Sequence, residues 1–157
     1  MGRLYVVGTP IGNLEDVTLR SLRILREASL IAAEDTRRSR LLTTRYEIDT
    51  PTTSYFEGNK LAKLDVIFSA LDTGDVALIS DAGMPGLSDP GYELIQAAIE
   101  RGYAVVPVPG PTASVTALVV SGLPTDAFVF LGYLPRRESR RRRLLRGVER
   151  DPYTIIA

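Results

Sequence analysis

Four loops rich in glycine, proline and acidic residues carry most of the side chains in this sequence that could do chemistry. Each loop follows an apolar run that predicts a buried strand. The loop at residues 80–91, SDAGMPGLSDPG, holds three Gly, two Pro and two Asp, more than a minimal connection needs. The other three are VGTPIGN (7–13), AAEDTR (32–37) and PVPGPTAS (107–114). We interpret these loops as the lining of a small-molecule site.

The absence of cysteine and histidine narrows the chemistry that these loops can perform. A chain without cysteine has no thiolate nucleophile and no disulfide. A chain without histidine has no Ser-His-Asp triad and no His-ligated metal. We therefore predict no metal site, and proton transfer must use a carboxylate, Lys, Tyr, the backbone or water.

Glu34 and Asp35 are the candidate proton-accepting carboxylates, because they stand together at the end of a predicted strand. A structural interpretation competes with this catalytic one. Asp35 or Thr36 could cap the helix that follows and form a local ion pair with Arg37. From the residues alone, both interpretations stay open.

The glycine pattern of the loops argues against a phosphate site. The loop at residues 7–13 lacks the G-x-G-x-x-G spacing of dinucleotide-binding folds and the Lys of a P-loop. It suits close contact with a neutral or cationic ligand. In the loop at 80–91, Gly83 and Gly86 allow a positive φ and close ligand approach, with Asp81 at the strand tip and Asp89 placed to cap the next helix. The alternative for each loop is plain turn chemistry.

The small residues at the start of the last predicted helix leave room for a planar ring. Thr112, Ala113 and Ser114 follow the Pro-rich turn of the fourth loop. Backbone N–H and C=O groups there could form hydrogen bonds with such a ring. The alternative is close packing of the helix on the sheet.

Apolar strands alternate five times with helical segments along the chain. This pattern predicts an α/β fold with an open, parallel five-stranded sheet and helices on both faces. In such sheets the loops at the carboxyl ends of the strands line the ligand crevice. The predicted strands are RLYVVG (3–8), SLIAA (29–33), TTSYF (52–56), DVALIS (75–80) and YAVVPVPG (103–110).

Two details of the predicted helices can be checked. Asp16 is a plausible N-cap for the first helix. The helix over residues 59–71 is expected to turn Leu61 inward, together with Leu64, Ile67, Phe68 and Leu71.

The pattern changes after residue 123. We expect an N-terminal α/β domain over residues 1–123 that forms half of a ligand cleft, and an incomplete second α/β domain over residues 124–157. Charge is also uneven: residues 1–135 carry 11 Lys and Arg against 16 Asp and Glu, and residues 136–157 carry 8 against 3.

Seven arginines stand in the eleven residues 136–146. A solvated helix face is one interpretation. The more specific interpretation is a phosphate-binding patch, because clustered guanidinium groups bind nucleic-acid phosphates. Nothing aromatic is interleaved, so base stacking is not indicated there. The candidate RNA-binding residues are Arg136, Arg137, Arg140, Arg141, Arg142 and Arg143.

The N-terminal sequence lacks the apolar run of a signal peptide, and no apolar run is long enough to span a membrane. We expect a cytoplasmic protein without a membrane partner.

Four segments, in this order and spacing, resemble the tetrapyrrole-methylase superfamily of S-adenosylmethionine (SAM) methyltransferases. They are VVGTPIGNLEDVTLRSL, IAAEDTR, LISDAGMPGLSDPG and VVPVPGPTASVTAL. Within that superfamily, TPIGNLED, AAEDTR and SDAGMPGLSDPG resemble the branch that methylates a cytidine ribose 2′-OH in small-subunit ribosomal RNA. The resemblance covers essentially the whole chain. One segment departs from the branch pattern: a histidine-containing SYHEHN-like stretch reads SYFEGN here.

The resemblance implies a two-domain α/β enzyme, often a homodimer, that binds SAM in a cleft and acts on 16S rRNA in the 30S subunit. It implies Asp81, Ala82 and Gly83 as contacts for the methionine end of SAM. The other implied cofactor contacts are Pro10, Ile11, Gly12, Gly86, Thr112 and Ala113.

Two other functions remain alternatives. A tetrapyrrole C-methyltransferase would keep the fold and the cofactor, but TPIGN, EDTR and the Arg run disfavour it. The third possibility is a non-catalytic ligand- or RNA-binding module.

Overall fold

A computed structural model describes residues 1–157, apart from the side chain of Lys60. Strands and helices alternate along most of the chain. The strands are β1 (Arg3–Val7), β2 (Leu30–Ala33), β3 (Thr52–Ser54), β4 (Val76–Ile79), β5 (Ala104–Val108), β6 (Phe128–Phe130) and β7 (Thr154–Ile156). The helices are α1 (Leu19–Glu27), α2 (Thr36–Arg45), α3 (Lys60–Thr73), α4 (Tyr92–Glu100), α5 (Ala113–Val120) and α6 (Glu138–Val148).

The first five strands form one parallel sheet in the order β3-β2-β4-β1-β5. The three central strands, β2, β4 and β1, are almost entirely buried because helices cover both faces of the sheet. This confirms the predicted α/β class and its five parallel strands. All five strands run the same way, so the loops that follow them meet at one edge of the sheet. We call it the carboxyl edge.

Two hydrophobic clusters hold the helices on the sheet. On one face, α1 and α2 contribute Leu22, Leu25 and Leu42 to a cluster with side chains of β1, β2 and β4. On the other face, α3 and α4 pack Ile67 and Leu94 against the alternate residues of the same strands. Successive side chains of each strand therefore point to opposite faces of the sheet, and each face packs against its own pair of helices.

Two predictions about the helices are wrong. Thr18, not Asp16, is the N-cap of α1: its hydroxyl accepts the Ser21 N–H, and Asp16 instead lies in a separate 3₁₀ turn. Leu61 does not turn inward but is 73% exposed, because it stands in the first turn of α3, whose inward contacts begin one turn later.

The chain divides into two compact units, residues 1–112 and residues 113–157. The second unit contains α5, α6 and a two-stranded parallel sheet in which Phe128 pairs with Thr154 and Phe130 with Ile156. The domains expected at 1–123 and 124–157 remain a prediction.

Within the described part of the chain, no helix is both long enough and apolar enough to cross a membrane.

Two leucines on the same helix provide a test of the α1 face. Leu25 is fully buried, whereas Leu19 at the start of α1 is 85% exposed. We expect Leu25→Ala to lower the free energy of unfolding by about 2–5 kcal/mol, because it leaves a cavity in the core. Leu19→Ala, the matched control, should change it by less than about 0.5 kcal/mol. Urea unfolding followed by circular dichroism measures both, and equal effects would contradict the observed packing.

Candidate active site at the carboxyl edge

The loops after β1 and β4 are joined by a short backbone pairing at the carboxyl edge. Thr9 N–H donates to the Gly83 carbonyl at 2.9 Å, and Gly83 N–H donates to the Thr9 carbonyl at 3.1 Å. The buried Thr9 hydroxyl lies 3.2 Å from the Ser80 carbonyl and donates to it. These bonds satisfy the backbone of both loops and fix their relative position.

The loops after β1 and β5 are in direct backbone contact. A Cβ atom on Gly8 would lie 2.7 Å from the Gly110 Cα, and a Cβ on Gly110 would lie 2.8 Å from the Gly8 Cα. Only two glycines facing each other permit this approach.

Gly83 lies where three of these loops converge. Its φ of +81° is a conformation that favours glycine. A Cβ there would lie 3.6 Å both from Cγ2 of Ile11 and from the carbonyl oxygen of Pro111. The loops after β1, β4 and β5 therefore surround one glycine, and two of the predicted cofactor residues, Ile11 and Gly83, stand side by side.

The loops after β2 and β4 are linked by a reciprocal pair of bonds from backbone N–H groups to carboxylates. Asp81 N–H donates to Glu34 Oε2 at 3.2 Å, and Asp35 N–H donates to Asp81 Oδ1 at 3.1 Å. The second oxygen of Asp81 pairs with Arg38 Nη1 at 3.1 Å. Three acidic residues predicted from two separate loops are thus brought together.

Burial raises the pKa of Glu34, and the negative charges of Asp81 and Asp89 raise it further. The hydrogen bond from Asp81 N–H and the charge of Arg38 oppose this shift. Burial also raises the pKa of Asp89, against a hydrogen bond with Ser80. A carboxylate with a raised pKa is a stronger proton acceptor than an ordinary one, and this favours Glu34 as the base.

Asp35 is a helix cap and an ion-pair partner, the structural one of the two interpretations that the sequence left open. It is the N-cap of α2, where its Oδ1 accepts the Arg37 N–H, and its carboxylate also pairs with the Arg37 guanidinium at 2.8 Å. The hydrogen bond from the Arg37 side chain lowers the pKa of Asp35 to about 2. A carboxylate with so low a pKa is a weak proton acceptor.

Most of the other predicted cofactor residues lie in the loops after β1 and β4. Pro10 is buried, while Gly12 and Ala82 are exposed; Gly86 has a φ of +82°. Thr112, half-buried, ends the first unit, and Ala113, exposed, begins the second.

The expectation that Asp89 caps α4 is wrong. The N-cap of that helix is Gly91, without a side-chain bond to the helix.

Three residues that contribute to the edge were not singled out from the sequence. They are Thr9, Arg38 and Gly110. Arg38 could have been found by its position three residues after Asp35 on a helix that starts at the edge. The contact of Gly110 with Gly8 joins residues about one hundred positions apart, and no local pattern signals it.

The predicted RNA-binding arginines lie in and just before α6, in the second unit. All six are exposed except Arg141, which is half-buried. Arg142 pairs with Glu138 one helical turn away. The remaining guanidinium groups on this segment outnumber its acids, so the segment is a basic surface.

No cluster of three acidic side chains suited to holding a metal ion occurs among the side chains that the structure describes.

Comparison with known proteins finds methylases and methyltransferases. The family model for tetrapyrrole (corrin/porphyrin) methylases matches residues 3–157. A protein of Halalkalibacterium halodurans named ribosomal RNA small subunit methyltransferase I is 51% identical over 156 residues, which cover 99% of this chain and 54% of that protein. The Thermotoga maritima protein of the same name is 48% identical, over 99% of this chain and 70% of that protein.

Among solved structures, uroporphyrin-III-C-methyltransferase from Thermus thermophilus is similar to this chain, with a TM-score of 0.61 and 25% identity. The similarity covers 83% of this chain and 59% of that one. The chain thus spans about half the length of the first of these relatives.

The acidic cluster predicts a pH-dependent stability. Folding raises the pKa of Glu34, so the charged carboxylate is less favourable in the folded state than in the unfolded state. This lowers the free energy of unfolding at pH values above the raised pKa. Glu34→Gln keeps an oxygen to accept the Asp81 N–H but removes the charge. We expect its melting temperature to exceed that of the wild type at pH 8 and to match it at pH 4.

The neighbouring variant Asp35→Ala is the control for this experiment. It removes a helix cap and a favourable ion pair, so it should lower the melting temperature at pH 8. Differential scanning calorimetry at the two pH values measures both variants. A Glu34→Gln protein that melts below the wild type at pH 8 would contradict the assigned electrostatics.

Proposed function

The chain belongs to the tetrapyrrole methylase family, and we propose that it forms part of a SAM-dependent methyltransferase whose substrate is ribosomal RNA. The methyl acceptor would be the ribose 2′-OH of a cytidine in 16S rRNA, with the 30S subunit as the macromolecular partner. The names of the relatives support the RNA substrate. The three segments that resemble the ribose-methylating branch support the finer assignment.

The observation that carries the proposal is the convergence of three loops around Gly83. Close backbone approach and a positive φ leave this position without a side chain between Ile11 and Pro111. Carboxylates stand beside it, and the loops lack the glycine and lysine pattern of a phosphate cradle. SAM carries a sulfonium cation and no phosphate, so the residues present fit it.

We assign the methionine end of SAM to Asp81, Ala82 and Gly83. The first loop would contribute Pro10, Ile11 and Gly12, with Gly86 as the next contact. Thr112 and Ala113 are assigned through the family resemblance to the other end of the ligand.

When bound, SAM supplies the reactive methyl group, and the protein supplies alignment and a proton acceptor. A ribose 2′-OH is a weak nucleophile and must lose its proton as the C–O bond forms. We assign that proton to Glu34, because burial and the neighbouring carboxylates raise its pKa. The hydrogen bond from Asp81 N–H engages Oε2 and orients the carboxylate.

The six arginines of the α6 segment are proposed to bind rRNA phosphates, which fix position without reading sequence. This role predicts salt-dependent binding. We also propose a homodimer, as the resemblance implies, acting in the cytoplasm where the small subunit is found.

Binding of S-adenosylhomocysteine tests the cofactor site directly. We expect calorimetry to detect it with this chain, without binding of NAD or ATP. Gly83→Leu should weaken the affinity at least about tenfold, since the new side chain fills the space beside Ile11.

The matched control is Gly102→Leu. Gly102 has a φ of +78°, close to that of Gly83, but nothing within 4 Å of its Cβ position, so it carries the same backbone strain without filling the site. Binding only by a form extended past Ala157 would mean that the site needs further residues. Failure of both forms to bind would contradict the SAM assignment.

Transfer of a tritiated methyl group tests the acceptor. With a form extended past Ala157, we expect label in 16S rRNA of 30S subunits and none in a uroporphyrinogen-type macrocycle. A 2′-O-methyl group blocks alkaline cleavage of the next phosphodiester, so the label should reside in an alkali-resistant dinucleotide containing cytidine. Glu34→Gln should lower kcat by roughly 100-fold or more while retaining cofactor binding.

Other outcomes would support the alternatives. Label in the macrocycle alone would favour a tetrapyrrole C-methyltransferase. RNA binding without any transfer would favour a non-catalytic module.

A further inference from the structure

An exposed phenylalanine follows β3 at the carboxyl edge and has no role in the site described above. Phe56 leaves 44% of its surface in contact with solvent, although the ring is large and apolar. The two residues that follow it, Glu57 and Gly58, are exposed as well, whereas Tyr55 before it is buried, so Phe56 is a single exposed ring and not part of an apolar face. A single exposed ring is common on protein surfaces, so the setting of Phe56 at the carboxyl edge decides whether it has a role.

The turn that carries Phe56 is rigidly built. Asn59 Oδ1 accepts the Phe56 N–H at 2.8 Å, and Asn59 Nδ2 donates to Ser54 Oγ at 3.0 Å. Gly58 lies against the ring: a Cβ there would be 2.7 Å from Phe56 Cε2. The asparagine therefore fixes the backbone of the turn, and the glycine leaves room for the ring beside it, so the turn need not be ordered when a ligand binds.

This turn lies beside the candidate base. Strands β2 and β3 are parallel neighbours in which Ala33 pairs with Ser54, and Tyr55 N–H donates to the Ala33 carbonyl at 2.7 Å. Glu34 and Tyr55 are therefore the residues that continue these two strands past their carboxyl ends, and Phe56 is the next residue of the turn.

The start of α2, at the same edge, is basic. Arg37, Arg38 and Arg40 stand in its first turns, all exposed, and the first turn contains no acidic residue. Arg37 and Arg38 pair with Asp35 and Asp81, and Arg40 lies about one turn further along the helix with its side chain exposed. Basic groups beside an exposed aromatic ring are the combination that binds single-stranded nucleic acid.

We propose that Phe56 is a stacking platform for an unpaired base of the substrate RNA, with the arginines of α2 holding an adjacent phosphate. This inference rests on the proposed RNA substrate and deepens it. The α6 segment offers arginines without an aromatic side chain and binds phosphates; Phe56 supplies the contact to a base. A target nucleotide stacked here is presented unpaired at the edge where Glu34 stands.

The absence of tryptophan from the chain makes a direct test possible. Phe56→Trp introduces a single fluorophore at the proposed platform. A stacked base quenches tryptophan, so we expect a single-stranded oligocytidine to quench this variant in a saturable way and a blunt RNA duplex to quench it far less. Ile99→Trp is the matched control, because Ile99 is also exposed but lies in the last turn of α4, at the opposite edge of the sheet.

A second variant measures affinity. Phe56→Ala should weaken binding of a labelled single-stranded oligonucleotide by roughly 5- to 100-fold, read by fluorescence anisotropy at fixed salt. Phe56→Tyr, which keeps an aromatic face, should bind as the wild type does. Both variants alter an exposed ring, so calorimetric melting should confirm that they fold.

The outcomes separate this inference from the proposed function. Oligonucleotide binding that neither quenches Trp at position 56 nor weakens in Phe56→Ala would overturn the platform and leave the RNA substrate intact. Absence of any RNA binding would contradict the proposed function itself. A blue-shifted, concentration-dependent emission of Phe56→Trp without RNA would mean that protein covers the ring, and would also overturn the inference.

Discussion

The contact between the backbones of Gly8 and Gly110 is the constraint on which the carboxyl edge depends. A side chain on either residue would overlap the other backbone, so the loops after β1 and β5 meet only because both residues are glycine. The loop after β4 is then fixed against them by the Thr9–Gly83 pairing. Three loops are thus positioned by main-chain contacts around Gly83, the position that we propose for the cofactor.

The acidic cluster shows how the edge tolerates carboxylates that repel one another. Glu34 and Asp81 each accept a backbone N–H from the other's loop, and Arg38 neutralises the second oxygen of Asp81. Asp35 is a weak proton acceptor because its carboxylate is bonded to Arg37. What remains is a carboxyl group on Glu34 with a raised pKa, so the arrangement that holds the loops together also produces a proton acceptor.

Much of this fold could be predicted from the sequence, because strands and helices alternate and the central strands β2 and β4 are uninterrupted apolar runs. The predictions failed where the outcome depends on exact helix starts: Thr18 replaces Asp16 as a cap, and Leu61 lies one turn before the core begins. The site was predicted at the level of loops. Its contacts join residues distant in sequence, as in the pairing of Thr9 with Gly83, so only the three-dimensional structure reveals which side chains meet.

Charge is divided along the chain in a way that suits two unlike ligands. The unit over residues 1–112 carries 11 Lys and Arg against 15 Asp and Glu, whereas residues 113–157 carry 8 against 4. Carboxylates at the carboxyl edge suit the sulfonium cation of the proposed cofactor but repel phosphates, so a polyanion would need arginines for its affinity. In the proposed RNA complex the arginines on α6 and at the start of α2 would bind phosphates, and the ring of Phe56 would contact a base. If the proposed function holds, arginines supply the affinity for RNA, and the carboxylate assigned as the base keeps its place in the acidic cluster.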